Sequence, residues 1–138
     1  RTEEVGKAAS TTSAIPEVRE KLVALQKKLA AESDCIMDGR DIGTCVLPGA
    51  QRKIYLTASS EVRAKRRYDE LVAKGEACDF DTIKADIEAR DYQDMNRAIS
   101  PLKQADDAVL VDSTELNLEQ SADAIVKIIS EKIGGGLC

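Results

Sequence analysis

The chain has 138 residues, which is enough for one domain with its own core. Its net charge of −5 argues against a basic nucleic-acid coat protein and against a basic membrane-surface protein, and no apolar stretch approaches the roughly 20 residues of a membrane span. Because the sequence has no histidine, any chemistry must rest on carboxylates, arginines, lysines or a bound metal. We expect a cytoplasmic protein with reduced thiols that binds neither nucleic acid nor membrane.

Apolar spacing along the chain predicts alternating strands and helices. In chain order the predicted elements are a helix from Pro16, strands at 35–37 and 53–58, helices at 60–74 and 79 to about 96, a strand at 108–111 and a helix at Leu118–Ile133. Short apolar runs of this kind are typical of buried parallel strands. The pattern therefore predicts a layered α/β domain, and residues 134–138 are predicted to form a flexible tail.

Three charged residues follow the first predicted strand, in the run Asp38-Gly39-Arg40-Asp41. Ligands of an open parallel sheet bind beyond the carboxyl ends of its strands, so this run is a candidate binding site. An acid in this position is also what P-loop enzymes place near magnesium. The alternative is an ordinary capped turn, because Asp-Gly is a common turn dipeptide.

The helix predicted at 79–96 has an apolar stripe that turns polar. Phe80, Ile83 and Ile87 lie on one face, and the same spacing continues with three charged residues: Arg90, Asp94 and Arg97. We expect these three to point inward, where charged side chains require partners. A cavity for an anionic or strongly hydrogen-bonding ligand would account for them. The alternative is an internal pair of Arg90 with Asp94, which leaves Arg97 unexplained.

A group of arginines opens the helix predicted at 60–74, namely Arg63, Arg66 and Arg67. Cations near the start of a helix are not complemented by its dipole. The guanidinium fork fits phosphate oxygens in pairs, so a triphosphate is a candidate ligand. The alternative is a solvated basic face that balances Asp69, Glu70 and Glu76.

Taken in order, these motifs resemble one family, the bacterial cytidylate kinases, which transfer phosphate from ATP to CMP or dCMP. The matching segments are 8–10, 16–19, 38–44, 53–59, 63–67, 90–91, 94, 96–98, 100–102 and 112–114. The resemblance covers the chain from Arg1 to about Lys132. It implies a partial P-loop kinase-type parallel sheet flanked by helices (three-layer α/β/α), in a domain of residues 1–133 with a helical lid at about 60–80.

The resemblance also implies a role for each candidate residue. The cytosine base would be held by Ser10, Arg19, Asp41 and Arg97. The ribose would be held by Arg90 and Asp94, and the α-phosphate of CMP by Arg40. Asp38 would lie near Mg²⁺, through water. Arg63, Arg66 and Arg67 would close over the ATP phosphates and act with Arg40 as the catalytic residues, because charge neutralisation and positioning dominate phosphoryl transfer.

The sequence contains no G-x-x-x-x-G-K-[ST] loop, whose backbone amides and lysine cradle the donor phosphates in this family. We therefore expect this chain to supply the CMP site and the lid, with the loop on a missing N-terminal segment or on a second chain. For the chain alone we expect weak CMP binding and negligible phosphotransfer. The alternatives are a nucleotide-binding fragment without catalysis and a purely structural fragment.

Overall fold

The computed structural model of the protein describes residues 3–13 and 15–133, so the predicted tail at 134–138 lies outside the described residues. In chain order the elements are α1 (Glu3–Ser13), α2 (Pro16–Glu32), a π-helical turn (Ile42–Val46), β1 (Ile54–Thr57), α3 (Ser60–Ala73), α4 (Phe80–Asn96), β2 (Val109–Asp112) and α5 (Leu118–Ile133). The predicted α/β class is confirmed, since a small parallel sheet lies among helices in the manner of a partial P-loop kinase-type fold.

The sheet consists of β1 and β2, which run parallel. Ile54 lies opposite Val109 and Thr57 lies opposite Asp112, so both carboxyl ends lie at the same edge. Beyond that edge, the backbone N–H and the hydroxyl of Ser113 both donate to the carbonyl oxygen of Thr57, over 2.8 and 3.0 Å. These bonds fix the loop after β2 against the end of β1.

The strand predicted at 35–37 is wrong. These residues lie in an irregular segment, and Ile36 is 94% exposed. A strand is stable only when a neighbour receives its backbone hydrogen bonds, and no strand of the described residues pairs with this segment. Asp38 therefore does not end a strand, although it still lies in the segment that leads into the π-helical turn.

Local signals set the helix ends close to their predicted positions. Pro16 occupies the first turn of α2, where its missing N–H costs nothing. Ser59 caps α3 by accepting from the backbone N–H of Val62 over 3.3 Å, and Asp79 caps α4 by accepting from that of Thr82 over 2.8 Å. The helix α1, in which Val5 is the one large apolar residue, was not predicted.

The buried apolar core is small, and its residues come from the π-helical turn, the residue after β1, α3 and β2. Its buried hydrophobic residues are Val46, Ala58, Ala64 and Val111. The apolar stripe of α2 is largely exposed at Leu22, Leu25 and Leu29, although α2 contacts α1 and the π-helical turn. Among the described helices, none is both long enough and apolar enough to cross a membrane.

Candidate functional site

A cleft of about 450 Å³ runs along β1 and past the segment that contains Asp38. Six cationic side chains line it: Arg40, Arg52, Lys53, Arg63, Arg66 and Lys103. Two acids, Asp38 and Asp91, also line it. The whole chain is acidic, so this concentration of positive charge is a local property of the cleft. Such a cleft attracts a polyanion and holds its oxygens with directed N–H groups.

The turn at Asp38 to Asp41 positions the first site residues. A Cβ on Gly39 would lie 2.8 Å from Cγ1 of Ile42, so only glycine fits there without displacing that side chain. The carbonyl oxygen of Asp41 accepts from the backbone N–H groups of Thr44, Cys45 and Val46, over 3.3, 2.8 and 3.3 Å. These bonds define the π-helical turn and fix the backbone from which the Asp41 side chain projects inward.

Five of the predicted substrate residues form one group, which we call the inner cluster. Its members are Arg19 from α2, Arg40 and Asp41 from the turn, and Asp94 and Arg97 from the end of α4. Asp41 and Asp94 are buried, with only 4% and 6% of their surface exposed. Charged side chains are buried to this degree only when they have partners, and here the partners are arginines.

Contacts within the inner cluster join its three separate segments. Arg40 Nε donates to Asp94 Oδ2 over 2.9 Å, and Arg97 Nη1 lies 3.7 Å from Asp94 Oδ1. Asp41 forms an ion pair with Arg19 Nη2 through Oδ2, and its Oδ1 lies 3.9 Å from Arg97 Nη2. The carboxylate of Asp41 therefore lies between two arginines that are far apart in sequence.

The inner cluster contains polar atoms without hydrogen-bond partners. Within the described part of the chain these buried atoms are Arg19 Nε, Arg19 Nη2, Asp41 Oδ2 and Arg97 Nη2. Although Arg19 Nη2 and Asp41 Oδ2 are in contact as an ion pair, that contact lacks hydrogen-bond geometry. Buried polar atoms in this state are costly, and a bound ligand with matching donors and acceptors would satisfy them.

Two predicted substrate residues are not placed in the cluster by the structure. Ser10 lies in α1, but its side chain is outside what the structure describes. The prediction that Arg90 points inward is wrong, because Arg90 is exposed and Asp94 pairs with Arg40 and Arg97 instead. Whether Ser10 and Arg90 contact substrate stays a prediction.

Contacts with α3 explain the position of Arg90. Phe80, Glu88 and Asp91 of α4 contact Tyr68, Ser60 and Arg63 of α3, through an aromatic contact and two sets of hydrogen bonds. Ile83 and Ile87 are half-buried on the same side of α4, so the packed face continues from Ile87 to Asp91 and Asp94 and leaves Arg90 exposed. The apolar spacing did not show this course because both residues that continue the face are acidic.

The three arginines of α3 have different surroundings. Arg63 and Arg66 line the cleft, whereas Arg67 does not and pairs with Glu70 of its own helix over 2.9 Å. Arg66 donates to the carbonyl oxygens of Ser113 and Leu116, over 2.6 and 3.0 Å. Two of the three are thus placed for contact with a ligand in the cleft, and the solvated basic face that we considered describes Arg67.

Sequence reasoning missed Arg52, Lys53, Lys103 and Asp91 as cleft residues. Lys53 was assigned only to the strand, yet its ammonium group donates to Pro48 O over 2.5 Å and to Asp107 over 2.8 Å. Arg52 and Lys103 have no ion pair or side-chain hydrogen bond within the described residues, and both are exposed. The adjacent basic residues Arg52 and Lys53, just before β1, were the one sequence signal that could have identified two of these positions.

A resident metal site is not indicated by the described residues, which contain no group of three or more carboxylates or thiols suited to a metal. Asp38 is a single exposed carboxylate at the cleft. This arrangement fits Mg²⁺ carried by phosphates and water, because Mg²⁺ commonly takes only one or two protein carboxylates.

Comparison with known proteins shows the family of this chain. A family model described as "Cytidylate kinase" matches residues 1–131. This chain belongs to the cytidylate kinase family. Curated cytidylate kinases from Streptococcus pneumoniae strain Hungary19A-6, serotype 19F strain G54 and serotype 2 strain D39 / NCTC 7466 are each 54% identical to it over 125 residues. That alignment covers 91% of this chain and 56% of each relative, so the chain spans little more than half the length of these cytidylate kinases.

Proposed function

We propose that this chain supplies the CMP site and the phosphate-binding arginines of a phosphotransferase that moves the γ-phosphate of ATP to CMP or dCMP. Membership of the cytidylate kinase family supports the reaction class. The observation that carries the proposal is the inner cluster, because its unpartnered atoms match the edge of a cytosine base. A role in pyrimidine metabolism and a cytoplasmic location are part of the same proposal.

The match with cytosine is one of donors and acceptors. The unpartnered N–H groups belong to Arg19 and Arg97, and cytosine offers its ring nitrogen and its carbonyl oxygen as acceptors. Asp41 Oδ2, which is in an ion pair with Arg19 but makes no hydrogen bond, is the acceptor, and cytosine offers an exocyclic amine, which uracil lacks. A site built around such a donor discriminates against uracil, because uracil presents a carbonyl oxygen, a second acceptor, in its place. Ser10 is the fourth proposed contact to the base.

Arg40 and Asp94 are proposed to hold the rest of CMP. The hydrogen bond to Asp94 uses Arg40 Nε and leaves the Nη groups of Arg40 for the α-phosphate. Asp94 Oδ1 is left to accept from the ribose hydroxyl, with exposed Arg90 beside the same sugar. Arg40 lines the cleft, so this placement directs the α-phosphate toward the cationic wall.

Phosphoryl transfer requires positioning of two phosphate chains and neutralisation of their charge. Arg63 and Arg66 are proposed to contact the ATP phosphates from the α3 side of the cleft, with Arg67 joining them if the predicted lid at 60–80 closes. Magnesium bound to ATP would neutralise charge on the phosphates, and Asp38 would hold one of its water ligands. Closure would also exclude water, which otherwise competes with CMP as acceptor.

Calorimetric titration of the 138-residue chain with CMP and with UMP tests the base site. We expect CMP to bind at least about tenfold more tightly than UMP, because only cytosine has an exocyclic amine to donate to Asp41. Equal affinity for the two nucleotides would contradict the assignment of Asp41, and no binding of either would contradict the site as a whole.

A second candidate function is nucleotide binding without catalysis. The observation that favours it is the absence of a G-x-x-x-x-G-K-[ST] motif from the 138-residue sequence. An assay that couples ADP release to ATP and CMP separates the two functions. We expect negligible turnover by this chain alone and turnover after a segment with such a loop is supplied. Binding of CMP with no turnover in both cases would favour the second function.

A further inference from the structure

Among the described residues, Asp91 is the one acid on α4 that lines the cleft, and it has no part in the proposed contacts to CMP or ATP. Its two carboxylate oxygens accept from Arg63 Nη1 and Nη2, over 3.0 and 2.5 Å. A two-point pair of this kind fixes the plane of the guanidinium group as well as its position. Asp91 therefore determines how Arg63 faces the cleft.

Arg63 is held at a third point as well. Its Nε donates to the carbonyl oxygen of Ala58, just beyond the end of β1, over 3.0 Å. An arginine has five N–H donors, so these contacts use three and leave two. Because the side chain is already fixed at both ends of the guanidinium group, little conformational entropy is lost when the remaining donors bind a ligand.

The same helix supports a second arginine of the cleft. Asp94 lies three residues after Asp91 on α4 and accepts from Arg40 over 2.9 Å. Arg40 and Arg63 come from different segments, and both line the cleft. Two acids at i and i+3 lie on the same side of a helix, so one face of α4 orients arginines from both walls.

We propose that Asp91 is a positioning residue that acts through Arg63 on a phosphate chain bound in the cleft; this inference rests on the proposed function. A positioning acid and an acid that acts only by its charge have opposite effects on the affinity of the cleft for anions. An acid that only lowers the positive potential of the cleft weakens anion binding, so its neutralisation tightens binding. A positioning acid strengthens binding, and its neutralisation weakens it despite the lost negative charge.

Titration of the 138-residue chain with inorganic tripolyphosphate measures whether neutralising Asp91 raises or lowers anion affinity. We expect Asp91→Asn to weaken binding about tenfold, because the orientation of a charged donor is lost. Asp69→Asn, which neutralises an exposed acid on α3, is the matched control and is expected to leave affinity unchanged or slightly raised. Tighter binding by Asp91→Asn would overturn the inference.

A double-mutant cycle tests whether Asp91 acts through Arg63. We expect Asp91→Asn to cause no further loss of tripolyphosphate affinity when Arg63→Ala is already present. Equal losses in both backgrounds would overturn the positioning role. If Asp91→Asn does not fold, Asp91→Glu takes its place in the cycle, because it keeps the charge and moves the carboxylate.

The NMR signal of the Arg63 Nε–H group is a readout that does not depend on ligand. We expect a distinct, slowly exchanging signal in the unmodified chain and its loss in Asp91→Asn, and an unchanged signal would overturn the inference. Absence of saturable tripolyphosphate binding by the unmodified chain would instead overturn the proposed function, and with it this role of Asp91. The two failures are therefore distinguishable.

Discussion

Two sets of ion pairs in this chain have similar chemistry and different surroundings. The inner cluster holds Asp41 and Asp94 with only 4% and 6% of their surface exposed. The outer pairs, which we define as Lys65–Asp69, Arg67–Glu70 and Lys74–Glu70, lie on the surface of α3 at i, i+3 or i, i+4 spacing. In each outer pair the two side chains neutralise each other, whereas the inner cluster contains buried donors and an acceptor that make no hydrogen bond.

This difference indicates which charged residues form a ligand site and which lie only on the surface. Exposed pairs are screened by water and salt and contribute little to stability. Burial of charge is costly, and it is maintained where another requirement outweighs that cost. The number of ion pairs, three in the outer set and four in the inner cluster, hardly separates the two sets, but burial and unmet hydrogen bonds favour the inner cluster as the site. Single substitutions in each set test this difference.

Loss of the central acid of the inner cluster has the largest expected effect. Asp41→Ala removes the ion-pair partner of Arg19 and one of the two carboxylates near Arg97, both of them half-buried arginines, and we expect the free energy of unfolding to fall by about 3–5 kcal/mol. Urea denaturation measures the change. The control, Asp69→Ala in an outer pair, is expected to stay within about 0.5 kcal/mol of the unmodified chain. Equal effects would remove the distinction between the two sets.

Replacement of Arg66 is expected to have an intermediate effect on the free energy of unfolding. It donates to two carbonyl oxygens in the loop after β2, so Arg66→Ala leaves those acceptors unpaired. We expect a loss of about 1–2 kcal/mol in urea denaturation. Arg67→Ala, whose only described pair is with its own helix, is the control. A larger loss for Arg67→Ala would show that the outer pairs support the fold after all.

The cap of α4 makes stability depend on pH. The Thr82 hydroxyl and then the Thr82 backbone N–H, both donating to Asp79, hold the pKa of Asp79 below its ordinary value. A lowered pKa in the folded state stabilises the fold above the ordinary value of about 3.9, and this contribution is lost as pH falls through the lowered pKa.

Denaturation at several pH values compares the unmodified chain with Asp79→Asn, which keeps a capping acceptor but does not titrate. We expect the stability advantage of the unmodified chain to be full near pH 6 and to shrink below about pH 4. Thr82→Ala removes the larger cause of the lowered pKa, so it is expected to reduce the effect. An advantage that grows as the solution becomes more acidic would contradict this assignment.

The smallest effect is expected for an outer pair. Lys65→Ala removes the contact of Lys65 with Asp69, and we expect a change below about 0.5 kcal/mol in the free energy of unfolding. Added salt is expected to remove even that difference, because both side chains are exposed. Exposed ion pairs contribute at most about 1 kcal/mol. A larger loss of unfolding free energy that persists in salt would contradict the distinction between the outer pairs and the inner cluster.

The fold could be predicted where local signals sufficed. Ser59 and Asp79 fixed the starts of α3 and α4, and two apolar runs identified β1 and β2 within a residue or two. The run at 35–37 is also short and apolar but has no described partner strand, so the apolar pattern alone misled. The π-helical turn depends on three N–H groups that share one carbonyl oxygen, which no sequence pattern indicated.

The site could be predicted only in part from periodicity. Asp94 and Arg97 follow from the helical spacing, and Arg90 does not because the packed face of α4 continues from Ile87 to Asp91 instead. Arg19 came from the family resemblance, since nothing local connects α2 with the turn, whereas Asp41 already belonged to the candidate run at 38–41 and took only its role from the resemblance. Asp91 was missed because its importance depends on a contact with Arg63, 28 residues away.

NMR titration of the 138-residue chain with CMP tests most directly whether the inner cluster is the binding site. We predict saturable shifts of the guanidinium signals of Arg19 and Arg97, with the signals of Lys65 and Arg67 in the outer pairs unchanged. UMP is expected to shift the same signals only at concentrations at least about tenfold higher. Saturable CMP binding that shifts the outer pairs and leaves Arg19 and Arg97 unchanged would contradict the assignment.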